Sequence, residues 1–181
     1  MHQYLHMALG LAVAAVLVGP ACGAVKDAAP NGFSVVETVH IAAPPDKVYG
    51  ELILPAHWWS SQHTFSKSAA NLTLDARAGG CWCEALPDGS VQHLVVVYAR
   101  QGSKLVMRGA MGPLQGLGVD GALTIELKQA GAGTDLSATY NAGGYLKDGL
   151  ASWAGPVDSV LGEQLNRLKT DVETGAMEAK P

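Results

Sequence analysis

Residues 150–175, LASWAGPVDSVLGEQLNRLKTDVETG, determine the fold of this chain. Their apolar members recur in steps of three and four, at Leu150, Trp153, Ala154, Val157, Val160, Leu161, Leu165, Leu168 and Val172. This spacing places them on one face of a helix, with polar residues such as Asp158 and Asp171 on the other. Gly175 predicts the C-terminal end of the helix. A helix of about 25 residues is roughly 37 Å long, so a long surface must cover its apolar face.

Pro156 allows two interpretations of where this helix begins. It could lie in the first turn of a helix that starts near Ala154, or it could kink a longer helix that starts near Leu150. Because Leu150 and Trp153 continue the apolar period upstream, the sequence favours the kinked helix.

The composition predicts one globular domain. The chain has 181 residues, of which 48% are hydrophobic and 15% charged. That is enough apolar material for a sizeable core. The formal net charge is −4 and the sequence has no basic patch, which argues against nucleic acid as a partner.

The N-terminal region has the pattern of a signal peptide. Residues 7–18 are apolar and small, and a Gly-Pro-Ala breaker follows them. We expect cleavage after Ala24, so that residues 1–24 are a signal peptide and residues 25–32 a linker. The mature protein would then be periplasmic or secreted, without stable membrane insertion. Two alternatives are a lipoprotein acylated at Cys22 and a retained N-terminal anchor, although the apolar core is shorter than the ~20 residues that span a bilayer.

The middle of the chain reads as a series of hairpins. Period-two segments bounded by Gly, Pro and Asp predict strands at residues 33–41, 71–76, 81–86, 91–100, 105–110, 122–128 and 134–141. A short helix is predicted to start at Pro45, and residues 176–181 are expected to be a frayed tail. Sequential hairpins followed by one long helix predict an α+β domain over residues 33–175, in which an antiparallel sheet curls around the C-terminal helix.

The turns allow the strands to be paired and their faces assigned. With turns at Asp88-Gly89 and Gly102-Ser103, the inner face holds Cys81, Cys83, Leu94, Val96, Tyr98 and Met107. The outer face then holds Trp82, Glu84, His93, Val95, Val97 and Arg108. In the last hairpin, one face holds Leu123, Ile125, Leu127, Leu136, Ala138 and Tyr140.

Two groups of side chains are candidates for metal binding or acid/base chemistry. Cys81 and Cys83 are expected to be two buried thiols, since a disulfide across one residue of a strand is strained and zinc needs further ligands nearby. Glu84, His93 and Arg108 would form an acid/base group if their face lined a pocket, and a solvated charge cluster if it did not. No catalytic motif is present, so no catalytic residue, metal site or cofactor is assigned.

Aromatic residues and glycines suggest a binding site. Trp58 and Trp59, flanked by His57 and His63, would either line the mouth of a pocket or plug one end of the core. The glycines at 112, 116, 118 and 121 fit neither a phosphate loop nor a dinucleotide fingerprint. They suggest a flexible lid, or else a plain loop.

With these elements placed, the chain resembles the START-like, or SRPBCC, helix-grip superfamily. The resemblance is carried by IAAPPDKVY at residues 41–49, Trp58-Trp59, AGGCW at 78–82, GTDL at 133–136 and the helix at 157–169. Within the superfamily, the chain is most similar to the bacterial branch named after the activator of the heat-shock chaperone ATPase. This resemblance implies a curved antiparallel sheet that grips the C-terminal helix around a largely apolar cavity. Members bind lipids, polyketides or hormones, and some are cyclases or hydrolases.

From the residues and the resemblance together, we expect an exported protein that binds a hydrophobic small molecule or lipid between sheet and helix. The expected lining is Trp58, Trp59, Tyr98, Met107, Tyr140 and Trp153. One alternative is a polyketide-cyclase-like or hydrolase-like enzyme, which would need Glu84, His93 and Arg108 to point inward. Another is a chaperone-cofactor-like interaction module whose cavity is filled by its own side chains. The oligomeric state is left open.

Overall fold

A single curved sheet of eight antiparallel strands wraps one side of a long helix in the computed structural model, which describes residues 22–175. The strands are β1 (Cys22–Ala29), β2 (Gly32–Ile41), β3 (Leu72–Leu74), β4 (Cys81–Leu86), β5 (Gly89–Arg100), β6 (Lys104–Arg108), β7 (Gly118–Ala130) and β8 (Gly133–Tyr145). Their order across the sheet is β1-β2-β8-β7-β6-β5-β4-β3. The helices are α1 (Pro45–Leu52), α2 (Pro55–Trp58) and α3 (Ala154–Thr174). The architecture is α+β and matches the helix-grip fold.

The long helix α3 begins at Ala154, so Pro156 lies in its first turn. The prediction of a kinked helix starting near Leu150 is therefore wrong. The residues before α3 form a separate 3₁₀ turn, Ala151–Trp153, which keeps Leu150 in the core without continuing the α-helix. At the other end, Gly175 adopts the left-handed conformation at φ 66° and donates its N–H to Asp171, as the sequence predicted.

Residues 25–32 were expected to be a linker, but most of them belong to strand β1. This strand pairs with β2 along the edge of the sheet, with a bulge between Val25 and Asp27. Its sequence lacks a period-two pattern because most of its side chains are exposed, so the pattern could not reveal it. Residues 1–21 and 176–181, which include most of the predicted signal peptide and the predicted tail, lie outside the described residues. In the described part of the chain, no helix has the length and apolarity needed to cross a membrane.

The last hairpin confirms its predicted inner face. Leu123 pairs with Tyr140, Ile125 with Ala138, and Leu127 with Leu136. All six side chains are buried, and α1 packs against both strands of this hairpin. The register here has no bulge, so the alternation read from the sequence carries through the whole hairpin.

The faces predicted for β4, β5 and β6 are only partly right, because two bulges shift the register. One bulge leaves His93 unpaired, so that Trp82 opposes Leu94; the other leaves Val97 unpaired. Leu94, Val96 and Met107 are buried as predicted, but Trp82 and Glu84 also face inward. Tyr98, predicted to face inward, opposes Val106 on the outer face and is 47% exposed.

Cys81 and Cys83 also lie on the outer face, and they form a disulfide. The prediction of two buried thiols is therefore wrong. Residues two apart in a regular strand are separated by about 6.6–6.8 Å. Opposite the His93 bulge β4 is contracted, and the Cα atoms of the two cysteines are 5.4 Å apart. This distance lies within the range that a disulfide requires.

Two carboxylic acids meet where α3 packs on β2. Glu37 is only 3% exposed, and Asp158 of α3 lies against it. Gly162 of α3 has no side chain at the point where the Glu37 carboxylate approaches the helix. Burial, then the charge and hydrogen bond of Asp158, raise the pKa of Glu37 from 4.5 to about 7. The interface therefore favours a protonated Glu37.

We expect Glu37→Gln to stabilise the fold above neutral pH and to change little near pH 5. A folded-state pKa raised to about 7 means that the wild type loses stability as pH rises from 4.5 to 7, whereas the amide does not titrate. Urea denaturation should show a gain of roughly 1–3 kcal/mol at pH 8. Glu126→Gln, at an exposed carboxylate of the outer face, is the matched control. A gain for Glu37→Gln that is equal at pH 5 and pH 8 would contradict this account.

Candidate functional site

Three tryptophans pack together on the inner face of the sheet. Trp58 ends helix α2, Trp59 follows it, and Trp82 extends inward from β4. Their ring centroids are 5.0–6.4 Å apart in edge-to-face arrangements. All three are at least 90% buried. We call them the tryptophan cluster.

The three indole N–H groups of the cluster differ in their partners. Trp58 donates to the backbone oxygen of Glu51, and Trp59 donates to that of His63, each at 3.0 Å. The indole nitrogen of Trp82 is buried and has no hydrogen-bond partner among the described residues. An unpaired buried donor costs about 1–3 kcal/mol, and native proteins leave few of them. The cluster therefore offers one donor to an acceptor that the chain itself does not supply.

Helix α3 holds the segment that carries the cluster. Gln164, 1% exposed, accepts a hydrogen bond from the Ser60 N–H at 2.8 Å, and its amide nitrogen lies 3.0 Å from His63 Nδ1. Arg167 donates to the backbone oxygen of Trp58 at 2.7 Å. The sequence analysis did not single out Gln164, although it follows Leu161 by three residues on the apolar face. His57 and His63, predicted at a pocket mouth, are both half-buried on this segment.

Glu84 lies beside Trp82 on the inner face and is fully buried. Its carboxylate accepts hydrogen bonds from the backbone N–H groups of Phe65 and Ser66, and His93 Nε2 lies 2.9 Å from it. Burial alone would raise the pKa of Glu84, but the bonds from Ser66, Phe65 and His93 outweigh it and lower the pKa. Glu84 is therefore an ionised anchor for the loop above it. A carboxylate held ionised in this way is poorly suited to exchange protons near neutral pH.

The acid/base group considered from the sequence is not assembled. Glu84 and His93 meet on the inner side, where the sequence analysis had placed neither of them. Arg108 lies on the outer face, where it pairs with Asp120 and both side chains are more than half exposed.

The six predicted lining residues lie in different environments. Trp58 and Trp59 pack together in the cluster, and Met107 is fully buried on the inner face. Tyr140 is fully buried near Phe33 and bonds the backbone of Gly109 and Met111. Trp153 is half-buried at the start of α3, and Tyr98 lies outside. Trp82, which the sequence analysis placed on the outer face, was missed because the His93 bulge was not foreseen.

The glycine-rich segment suggested as a lid covers the core next to this site. It contains a 3₁₀ turn, Gly112–Gly116, whose Leu114 is 1% exposed. The Gln115 amide donates to the backbone oxygen of Gln92 at 3.0 Å. The turn is thus tied to β5.

Comparisons with known proteins support the fold. No family model matches the chain, and no curated protein matches it. Solved structures with a similar fold include a conserved protein of unknown function, EF2215, from Enterococcus faecalis (16% identity, 88% of this chain, 81% of that chain, TM-score 0.59). A second is CalU16 from Micromonospora echinospora (15% identity, 88% of this chain, 86% of that chain, TM-score 0.54). A third is the Aha1 dimer from Colwellia psychrerythraea (15% identity, 78% of this chain, 97% of that chain, TM-score 0.53). These likenesses establish the helix-grip fold alone, and no family match accompanies them.

We expect Glu84→Gln to destabilise the fold by about 2–3 kcal/mol, because the amide cannot accept all three hydrogen bonds and places an NH₂ group against donors. The loss should shrink as pH falls, since the pKa of Glu84 is lowered and its contribution is lost once the carboxylate is protonated. Urea denaturation at pH 7 and pH 4 tests this. Asp120→Asn, at an exposed ion pair, should cost less than about 1 kcal/mol. Equal losses for the two variants would refute the anchoring role of Glu84.

Proposed function

We propose that this chain is an exported binding protein for a hydrophobic small molecule or lipid that carries an oxygen acceptor. The ligand would lie between the inner face of the sheet and α3, beside the tryptophan cluster. The observation that carries this proposal is the buried, unpaired N–H of Trp82. Small-molecule sites are mostly apolar with a few placed polar groups, and this one combines three indole rings with a single free donor.

The fold is compatible with ligand binding, and the polar residues favour binding over catalysis. The two oxygens of Glu84 already accept three hydrogen bonds, and Arg108 lies on the opposite face of the sheet. A cyclase-like or hydrolase-like reaction would therefore lack the group that the sequence analysis required. The interaction-module alternative would use the outer face, where Val97 and Tyr98 are about half exposed.

Export is supported by two features. Residues 7–18 form an apolar segment of the length of a signal-peptide core. The Cys81–Cys83 disulfide is typical of an oxidising compartment such as the periplasm.

The experiment that tests the proposal is native mass spectrometry of the protein purified from its own host, followed by organic extraction. A bound hydrophobic molecule with a carbonyl, ester or hydroxyl oxygen is the expected result. A protein that carries no ligand and also fails to enhance the fluorescence of N-phenyl-1-naphthylamine would overturn the carrier and enzyme proposals together. That outcome would leave the interaction module.

We expect Trp82→Phe to weaken binding of the extracted ligand by about 5–10-fold, because it removes the donor and keeps most of the ring. Its stability should equal or exceed that of the wild type, since an unpaired buried donor is lost. Trp58→Phe is the matched control: it removes an indole N–H that is already bonded, so it should cost about 1 kcal/mol of stability and change affinity less than twofold. Fluorescence titration and thermal unfolding measure both. Equal affinity for Trp82→Phe and wild type would contradict the role of Trp82.

We expect the protein recovered from its host to begin at Val25 and to be released with the periplasmic fraction or secreted. Intact-mass measurement after osmotic shock tests this directly. A chain that retains residues 1–24 would contradict cleavage. A mass increment of acyl groups on Cys22 would establish the lipoprotein alternative instead.

A further inference from the structure

Three helices bring two carboxylates and an imidazole together. Glu51 lies in the last turn of α1, His57 in α2 and Asp171 in α3. One ligand atom from each of these residues lies within 4.8 Å of the other two. His57 Nδ1 and a Glu51 carboxylate oxygen are 3.1 Å apart. No metal site was predicted from the sequence, because residues so far apart along the chain carry no spacing signal.

Asp171 is the informative member of this group. It is 94% buried, and the sequence analysis had placed it on the solvent face of the helix. Within residues 22–175, its carboxylate shares a hydrogen bond with Glu51 and lies close to His57. Burial, and then the negative charge of Glu51, raise its pKa, while His57 partly opposes them. A buried carboxylate that faces a second carboxylate lacks a compensating cation.

The neighbouring basic side chains do not fill this role. Lys47, one turn before Glu51, donates to the backbone oxygen of Val172 at 2.8 Å. Arg167, one turn before Asp171, donates to the backbone oxygen of Trp58 at 2.7 Å. Both cations bond backbone carbonyls at the rim of the group, and the basic side chain that belongs to the group itself is the imidazole of His57.

We propose that Glu51, His57 and Asp171 bind a divalent transition-metal ion, for which Zn²⁺ is the best match. One imidazole nitrogen and two carboxylate oxygens are ligands that Zn²⁺ accepts, and three protein ligands leave a position for water. Ca²⁺ needs six to eight oxygen ligands and is a poor match for this set. The bound ion would tie α1 and α2 to the C-terminal half of α3. Because His57 directly precedes Trp58, the bound ion would also fix the segment that carries the tryptophan cluster.

Isothermal titration of the tag-free, full-length protein with ZnCl₂, in the absence of reductant, tests this proposal. We expect one Zn²⁺ per chain, with affinity reduced at least tenfold in His57→Ala and in Asp171→Asn. His40→Ala is the matched control, because His40 pairs with exposed Asp135 at 2.7 Å and that pair belongs to no group of three ligands among residues 22–175. The control should bind Zn²⁺ like the wild type. Zn²⁺ should raise the melting temperature of the wild type and the control only.

Three outcomes of the titrations would overturn the proposal. They are the absence of saturable Zn²⁺ binding, equal affinity in the wild type and His57→Ala, and Ca²⁺ binding as tight as that of Zn²⁺. If Asp171→Asn fails to fold, His57→Ala and Glu51→Gln decide the question. Absorption spectra with Co²⁺ in place of Zn²⁺ should lack a thiolate charge-transfer band. The presence of that band would assign the ion to cysteines and refute the site.

Discussion

The apolar face of α3 must be kept from water, and the rest of the structure depends on how this is done. A helix of 21 residues is about 31 Å long, and the curved sheet, through β2 and β1, covers it together with α1 and α2. The bends arise at β-bulges, which add a residue to one strand and increase its local twist. The bulges at His93 and Val97 lie in β5, near the edge of the sheet that curls over the tryptophan cluster. The bulge at His93 therefore also decides which side chains of β4 enter the candidate site.

This dependence explains which parts of the fold could be predicted. The amphipathic helix, its end at Gly175 and the last hairpin follow from local periodicity and turn residues, and the structure confirms them. The sheet face on which the β4 side chains and Tyr98 lie could not be predicted. A bulge depends on the packing of the whole sheet and leaves no local signal in the sequence. Because His93 is an extra residue in β5, the inner face holds Trp82 and Glu84, where the prediction had placed Cys81 and Cys83. Edge strand β1 was missed for a different reason, since most of its side chains are exposed and carry no alternation.

The candidate site shows a similar division. Trp58 and Trp59 stand out in the sequence because paired tryptophans are costly to expose, and the structure buries both. Gln164 and Asp171 did not stand out, because a polar residue on a predicted helix reads as solvent-facing. Each is buried in the structure because residues from α1, α2 or the loop after α2 meet it there. The burial of these two polar residues of α3 could thus be recognised only once the side chains that pack against them were known.

Buried polar side chains of β4 and α3 hold the segments around the tryptophan cluster in place. Glu84 uses its charge to hold the loop at Phe65 and Ser66, and Gln164 holds the segment from Ser60 to His63. These contacts are saturated, so they fix the walls of the site and take little part in recognition. Trp82 is different, because its N–H is buried without a partner. Of the two buried side-chain atoms without a partner in residues 22–175, Trp82 Nε1 and Asp158 Oδ1, only the indole nitrogen lies in the tryptophan cluster, and for this reason we propose it as the recognition group.

The indole region of a ¹H–¹⁵N spectrum tests this claim most directly. The chain has four tryptophans, so the spectrum should show four indole N–H signals. On addition of the molecule extracted from the native protein, the Trp82 signal should move the most and its exchange with solvent should slow. The signals of Trp58 and Trp59, whose N–H groups are already bonded, should move less. A Trp82 signal that stays in place while the ligand binds would contradict the account.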